Sequence, residues 1–162
     1  MMETNSFLSF NLGDELFAAN VAKVTSILEM QKITKVPKAP DYLKGVINLR
    51  GNVLPVIDTR LKFGMEETKV TKNTCILVLE IKIDEEKIAV GALVDFVKEV
   101  LEIDEEHTLP PPNIGSKFKS DFIYGVYKNN EDFIMLVDLD KIFSIDELTE
   151  LQIETQETTT EV

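Results

Sequence analysis

The sequence predicts an all-β chain built as two small barrels that share an apolar seam, and three observations lead there. Phe, Val and Ile occur in runs of five to seven residues broken by Gly, Asn and Asp, the pattern of strands joined by tight turns. Part of the chain echoes itself at an offset of 80 residues. A length of 162 residues suits one ordinary domain or two very small units, able to bury roughly 70% of the extended chain's surface without staples.

Taken in order, Phe7 to Leu12 and Leu16 to Ala19 flank Gly13-Asp14-Glu15 and form the first hairpin. Asn20 to Val24 reads as a helical turn. Val46 to Leu49 and Val53 to Ile57 flank Arg50-Gly51-Asn52, with Gly51 supplying the turn. Asp58 then stands where an N-cap carboxylate accepts the free amides of a short helix, and Phe63 anchors that turn to the core. A third hairpin joins Ile76 to Ile83 and Lys87 to Val94 through Asp84-Glu85-Glu86. Pro110-Pro111-Pro112 opens an extended linker reaching about Ser120. The fourth hairpin runs from Ile123 to Tyr127 and from Phe133 to Val137 around Lys128 to Asp132, followed by Asp138 as a second cap and Phe143 as a second anchor. Residues 149–162 read as a helix end and a flexible, Thr- and Glu-rich acidic tail.

The second and fourth hairpins superpose without a gap at the offset of 80, matching Gly45 with Gly125, Val46 with Val126, Asp58 with Asp138 and Phe63 with Phe143. The first and third agree more loosely at 72 or 73, with Val24 to Glu29 over Val97 to Glu102. The chain thus divides into pseudo-repeats of about 7–66 and 73–146 inside a single domain of 5–148. Gly45 and Gly125, matched across the repeats, mark a close backbone approach.

Seventeen Lys and Arg against 29 Asp and Glu give a net charge of −12, which repels nucleic-acid phosphates and anionic lipid. The amino terminus lacks a basic flank and an apolar run, and the longest apolar stretch, Ile88 to Val94, is too short to insert in a membrane; a cytoplasmic protein is expected. Cys75 sits among apolar strand residues and reads as a small core side chain rather than a reactive thiol. One His and one Cys leave no zinc ligand set, so no metal and no cofactor are expected. His107, in Asp104-Glu105-Glu106-His107, is either a solvated loop residue or a pH sensor. Asp138-Leu139-Asp140 lacks the next oxygen ligand and the glycine of a divalent-ion loop, and reads as a capped helix start. The acidic triplets are solvated charge runs, and no phosphate loop, nucleophile with a base, or other catalytic residue is visible. A small enzyme using scattered carboxylates is the alternative from another class.

The most informative stretch is Lys44-Gly45-Val46-Ile47-Asn48-Leu49-Arg50-Gly51 with Leu54-Pro55-Val56-Ile57-Asp58. Arg50 stands at a hairpin tip just before a Gly51-Asn52 turn, with Asn48 two residues back on the same side. Its planar fork of donors either pairs with a local carboxylate such as Asp58 or faces a partner.

Together with Phe7 to Gly13, the Val24 and Ile27 segment, Val36-Pro37-Lys38-Ala39-Pro40 and Val90 to Val97, this stretch resembles the CheW family of chemotaxis adaptors over about Phe7 to Leu148. The resemblance implies two five-stranded Src-homology-3-like barrels around a shared core, with short helices and no enzymatic activity. It implies a scaffold linking the regulatory domain of the histidine kinase CheA to the cytoplasmic tip of methyl-accepting chemotaxis receptors, recruited to membrane arrays through those partners. A CheW-like regulatory domain of a larger signalling protein is the alternative within the fold. By analogy Arg50 and Asn48 would face the receptor, with Val21 and Val24 near the groove for the receptor's helical hairpin. The residues themselves leave both valines equally readable as core. Ser26 replaces the glutamate common in the family, which changes the charge of one partner surface.

Overall fold

The computed structural model describes residues 5–83, 85–111 and 122–142. Among these residues ten strands form two five-stranded sheets. They are β1 (Ser6–Leu12), β2 (Glu15–Asn20), β3 (Val24–Glu29), β4 (Leu43–Leu49), β5 (Asn52–Asp58), β6 (Cys75–Ile83), β7 (Glu86–Val94), β8 (Phe96–Glu102), β9 (Ile123–Asn129) and β10 (Asp132–Val137). The four expected hairpins are β1 with β2, β4 with β5, β6 with β7 and β9 with β10, all antiparallel.

One sheet runs β8-β1-β2-β10-β9 and the other β3-β6-β7-β5-β4. The two orders are the same list with the repeats interchanged, so the echo at offset 80 is a structural symmetry. Each sheet nevertheless takes strands from both repeats. The third strand of each repeat, β3 or β8, leaves its own hairpin and pairs with the first strand of the other repeat. Two features depart from barrels of antiparallel strands. The hairpins interlock through parallel pairs, β2 with β10 and β5 with β7. Among the described residues no ladder joins β3 to β4 or β8 to β9, so the Src-homology-3-like sheets are open rather than closed. Single bridges cover the outer edges instead: Thr34 on Val46 of β4, and Leu109 on Val126 of β9. Both are two-way backbone bonds, at 2.9 and 2.8 Å and at 2.8 and 2.9 Å, which blunt edges that would otherwise invite foreign strands.

β3 and β8 are strands the hydrophobic runs alone did not mark. Edge strands have one covered face, and β3 alternates half-buried and exposed residues along its length, a weaker signal than a buried run. In β8 the ladder with β1 slips by one residue beside Ser9. The Ser9 hydroxyl fills this bulge, donating to Glu99 O at 2.9 Å and accepting from Glu99 N at 3.1 Å.

Among the described residues burial falls into three clusters. Ile47, Leu54, Val56, Ile76, Val78 and Leu93 lie within the β3-to-β4 sheet, and Phe7, Ala18, Ile103, Ile134 and Leu136 within or beside the other. Between them a larger seam draws Phe10, Phe17 and Val137 from one sheet and Ile57, Leu79 and Val90 from the other. Two units with their own interiors and a shared core are therefore what the chain builds.

Both caps are present. Asp58 precedes α1 (Thr59–Lys62) and accepts from Leu61 N at 3.4 Å, and from Thr68 N and Oγ1 at 3.0 and 2.7 Å. Its carboxylate is fully buried; removing it strands the Thr68 donors and the first-turn amides. Asp58→Ala is therefore expected to cost about 2 to 4 kcal/mol, read as a lowered midpoint in urea. Asp138 caps a shorter 3₁₀ turn, Leu139–Lys141, and accepts from Asp140 N at 3.1 Å. Phe63 packs edge-on against Phe17 at 5.2 Å and meets Phe122 at 4.5 Å, fastening α1 to the seam. Phe143, the linker from residue 112 to Ser120 and the tail at 149–162 lie outside the described residues.

Candidate functional site

The β4–β5 tip is built by a two-residue turn. Leu49 pairs with Asn52, leaving Arg50 and Gly51 as the two central positions, at φ of 54° and 85°. This corrects the expected Gly51-Asn52 turn: Asn52 already belongs to β5, because two consecutive left-handed residues match the twist of the flanking strands. Asn48 Oδ1 accepts the Gly51 N–H at 2.8 Å and so locks the turn. The Arg50 side chain is exposed and makes no ion pair or hydrogen bond among the described residues. Asp58 lies at the far end of β5 with its oxygens already engaged, so the local Arg50–Asp58 pair does not form. Val53, directly across from Asn48 in the ladder, is 37% exposed. Sequence reading passed over it because a valine in a strand is normally core.

Val21 opens a 3₁₀ turn, Val21–Lys23, whose first amides are capped by Asn20 Oδ1 accepting from Ala22 N at 2.9 Å. Val21 and Val24 are half-buried against the seam. Ile27, three residues further along β3, is half exposed. Ser26 pairs with Val78 beside the bulge in β3. In the hydrogen-bonded order β3 and β4 are the two edges of one sheet, so Val24 and the Arg50 turn occupy opposite margins of it.

Among the described residues no three His, Cys, Asp or Glu side chains gather where a metal ion would sit. The seam holds an apolar cavity of about 20 Å³ lined by Phe10, Ile57, Phe63 and Val90, room for about one water and far below a substrate pocket. His107 ends a 3₁₀ turn with Nδ1 at 2.9 Å from Asp104, both side chains more than half exposed. Cys75 begins β6 opposite Val94 and Glu29. Burial pushes its thiol up, only partly offset by a bond to the Val97 backbone. Labelling of Cys75 by a thiol reagent at pH 8 is therefore expected to run at least about tenfold slower in the native chain than in urea; equal rates would contradict the burial.

Residues 6–147 match the family model of the CheW-like domain. The chain belongs to the CheW family. It is 36% identical to the chemotaxis protein CheW of Rhizobium meliloti, with 86% of this chain and 88% of that protein aligned. Against the chemotaxis protein CheW of Klebsiella aerogenes it is 33% identical over 88% of this chain and 83% of the relative. The crystal structure of the scaffolding protein TtCheW from Thermoanaerobacter tengcongensis superposes with a TM-score of 0.76 at 32% identity, covering 90% of this chain and 96% of that one. As a CheW-type protein the chain is a non-catalytic adaptor of chemotaxis signalling. No helix of the described residues is long and apolar enough to cross a membrane.

Proposed function

We propose that the chain couples the regulatory domain of the kinase CheA to the cytoplasmic tips of methyl-accepting chemoreceptors, working in the cytoplasm and reaching membrane receptor arrays only through these partners. Residues 5–148 act as one domain on this reading, since each sheet takes strands from both repeats. The observation that carries it is Arg50: an exposed guanidinium without an internal partner among the described residues, held in a left-handed turn. Such a residue suits a carboxylate or backbone carbonyl on another protein. Val53 beside it supplies apolar area, Asn48 holds the turn in shape, and Val21 and Val24 border the seam as the margin of a groove for a helical hairpin. Two modest interfaces on one rigid body let a receptor shift bias the kinase through geometry alone.

The test is calorimetric titration of the chain with a CheA regulatory domain and with a receptor-tip fragment, first separately and then together. Each partner is expected to bind alone, and the second to bind the preformed pair. Absence of heat with both partners would overturn the reading.

A further inference from the structure

Two ionic clamps sit at matching places in the two repeats with their charges inverted. In the first, Arg60 of α1 bonds Asp95 at the β7–β8 junction, Nε lying 3.1 and 2.9 Å from the two carboxylate oxygens and the second guanidinium nitrogen also in contact. Asp95 Oδ2 accepts the Gly13 amide of the β1–β2 turn at 2.6 Å. In the second, Asp140 of the turn after β10 meets Lys23 at the β2–β3 junction, 2.6 Å away. Asp140 Oδ1 accepts the Lys82 amide, next to the end of β6, at 2.9 Å. Arg60 and Asp140 are equivalent at the offset of 80, and Asp95 and Lys23 both lie on the crossover from one sheet to the other. In each clamp the carboxylate takes a main-chain amide near the tip of a hairpin in the opposite sheet.

We propose that Asp95 and Asp140 are positioning residues that fix the register of one sheet on the other. The seam between the sheets is apolar and, among its buried members, aliphatic or phenyl. Apolar burial is non-directional, so it holds the sheets together without selecting one angle. Charge-assisted bonds have short range and fixed geometry, and each clamp ties three points: a capped turn, a crossover and a hairpin end. All four charged side chains are about one third exposed or less, so water competes weakly with the bonds. Inversion of polarity keeps each ion from pairing with the other clamp's equivalent partner, which would otherwise satisfy a slipped arrangement. The consequence is a defined angle between the faces that each sheet presents. Its use in coupling rests on the two-partner reading above; the angle itself does not.

Spin labels at Lys87→Cys in β7 and Lys128→Cys in β9, in a Cys75→Ser background, report the distance between the sheets by pulsed electron resonance. Arg60→Met and Lys23→Met keep the aliphatic stems and remove the charges. Each is expected to remain folded by circular dichroism, and to broaden the distance distribution about twofold or move it by about 2 Å, with the double variant further changed. Distributions indistinguishable from the parent in both folded variants would overturn the proposal. Arg60→Lys keeps a cation within reach of Asp95 and leaves the Gly13 bond in place, and is expected to recover the narrow distribution. Broadening by Arg60→Met without recovery in a folded Arg60→Lys variant would assign the effect to lost packing and overturn the ionic basis. Binding to either partner is not needed for any of these readings, so a failed coupling experiment and a failed clamp remain distinguishable.

Discussion

Gly45→Val is expected to remove about 3 to 5 kcal/mol of folding stability, a large part of what a domain of this size has. Gly45 has φ of 151°, a conformation that side chains rarely adopt. A Cβ there would overlap the Thr34 carbonyl and come within 2.6 Å of Ile33 Cγ2. That carbonyl accepts the Val46 N–H at 2.8 Å, while Thr34 N donates back to Val46 O at 2.9 Å. Relieving the clash means breaking the bridge that covers the outer edge of β4, since the Thr34 oxygen is main chain and cannot rotate away. The melting temperature should fall by about 6 to 15 °C. Gly125→Ala is the internal comparison: its added Cβ would meet Leu109 O at 3.4 Å, an ordinary contact, and a change within about 1 kcal/mol is expected. Thermal melts decide both, and a Gly45→Val melt within a degree or two of the parent would refute the account.

Arg50→Asn is expected to separate binding from stability. Arg50 holds φ of 54° at the first central position of its turn, where asparagine before glycine is the favoured pair. Replacement should leave stability unchanged or raise it by up to about 1 kcal/mol, and its side chain has no ion pair among the described residues to lose. If the guanidinium faces a receptor, affinity for the receptor-tip fragment should fall about 10- to 100-fold, as expected for a charged hydrogen bond of about 1.5 to 3 kcal/mol. Affinity for the kinase domain measured in parallel should change far less. Unaltered receptor binding would remove Arg50 from the interface while leaving the family assignment untouched.

The local geometry of the candidate site was legible where its determinants are close in sequence. The Arg50-Gly51 tip, the Asp58 cap and the matching Asp138 cap follow from residue types within a few positions of one another. The placement of the turn missed by one residue, since Arg50-Gly51 and Gly51-Asn52 both put glycine in a turn. Only the ladder, pairing Leu49 with Asn52, selects between them. Val53 escaped notice for the same reason that strand valines usually face inward.

The amino-acid sequence alone determined the hairpins, their caps, the repeat and the family, because each depends on alternation and turn chemistry over some ten to twenty residues. Tertiary structure alone decided which hairpin each edge strand joins, the parallel pairings that interlock the repeats, and the partners of Asp95 and Asp140. Those pairings span separations such as 82 residues from Gly13 to Asp95 and 58 from Lys82 to Asp140. The physical reason is that an edge strand carries the same alternating pattern whichever neighbour it meets; only burial of the common seam and satisfaction of its few charges distinguish the exchanged arrangement from the unexchanged one.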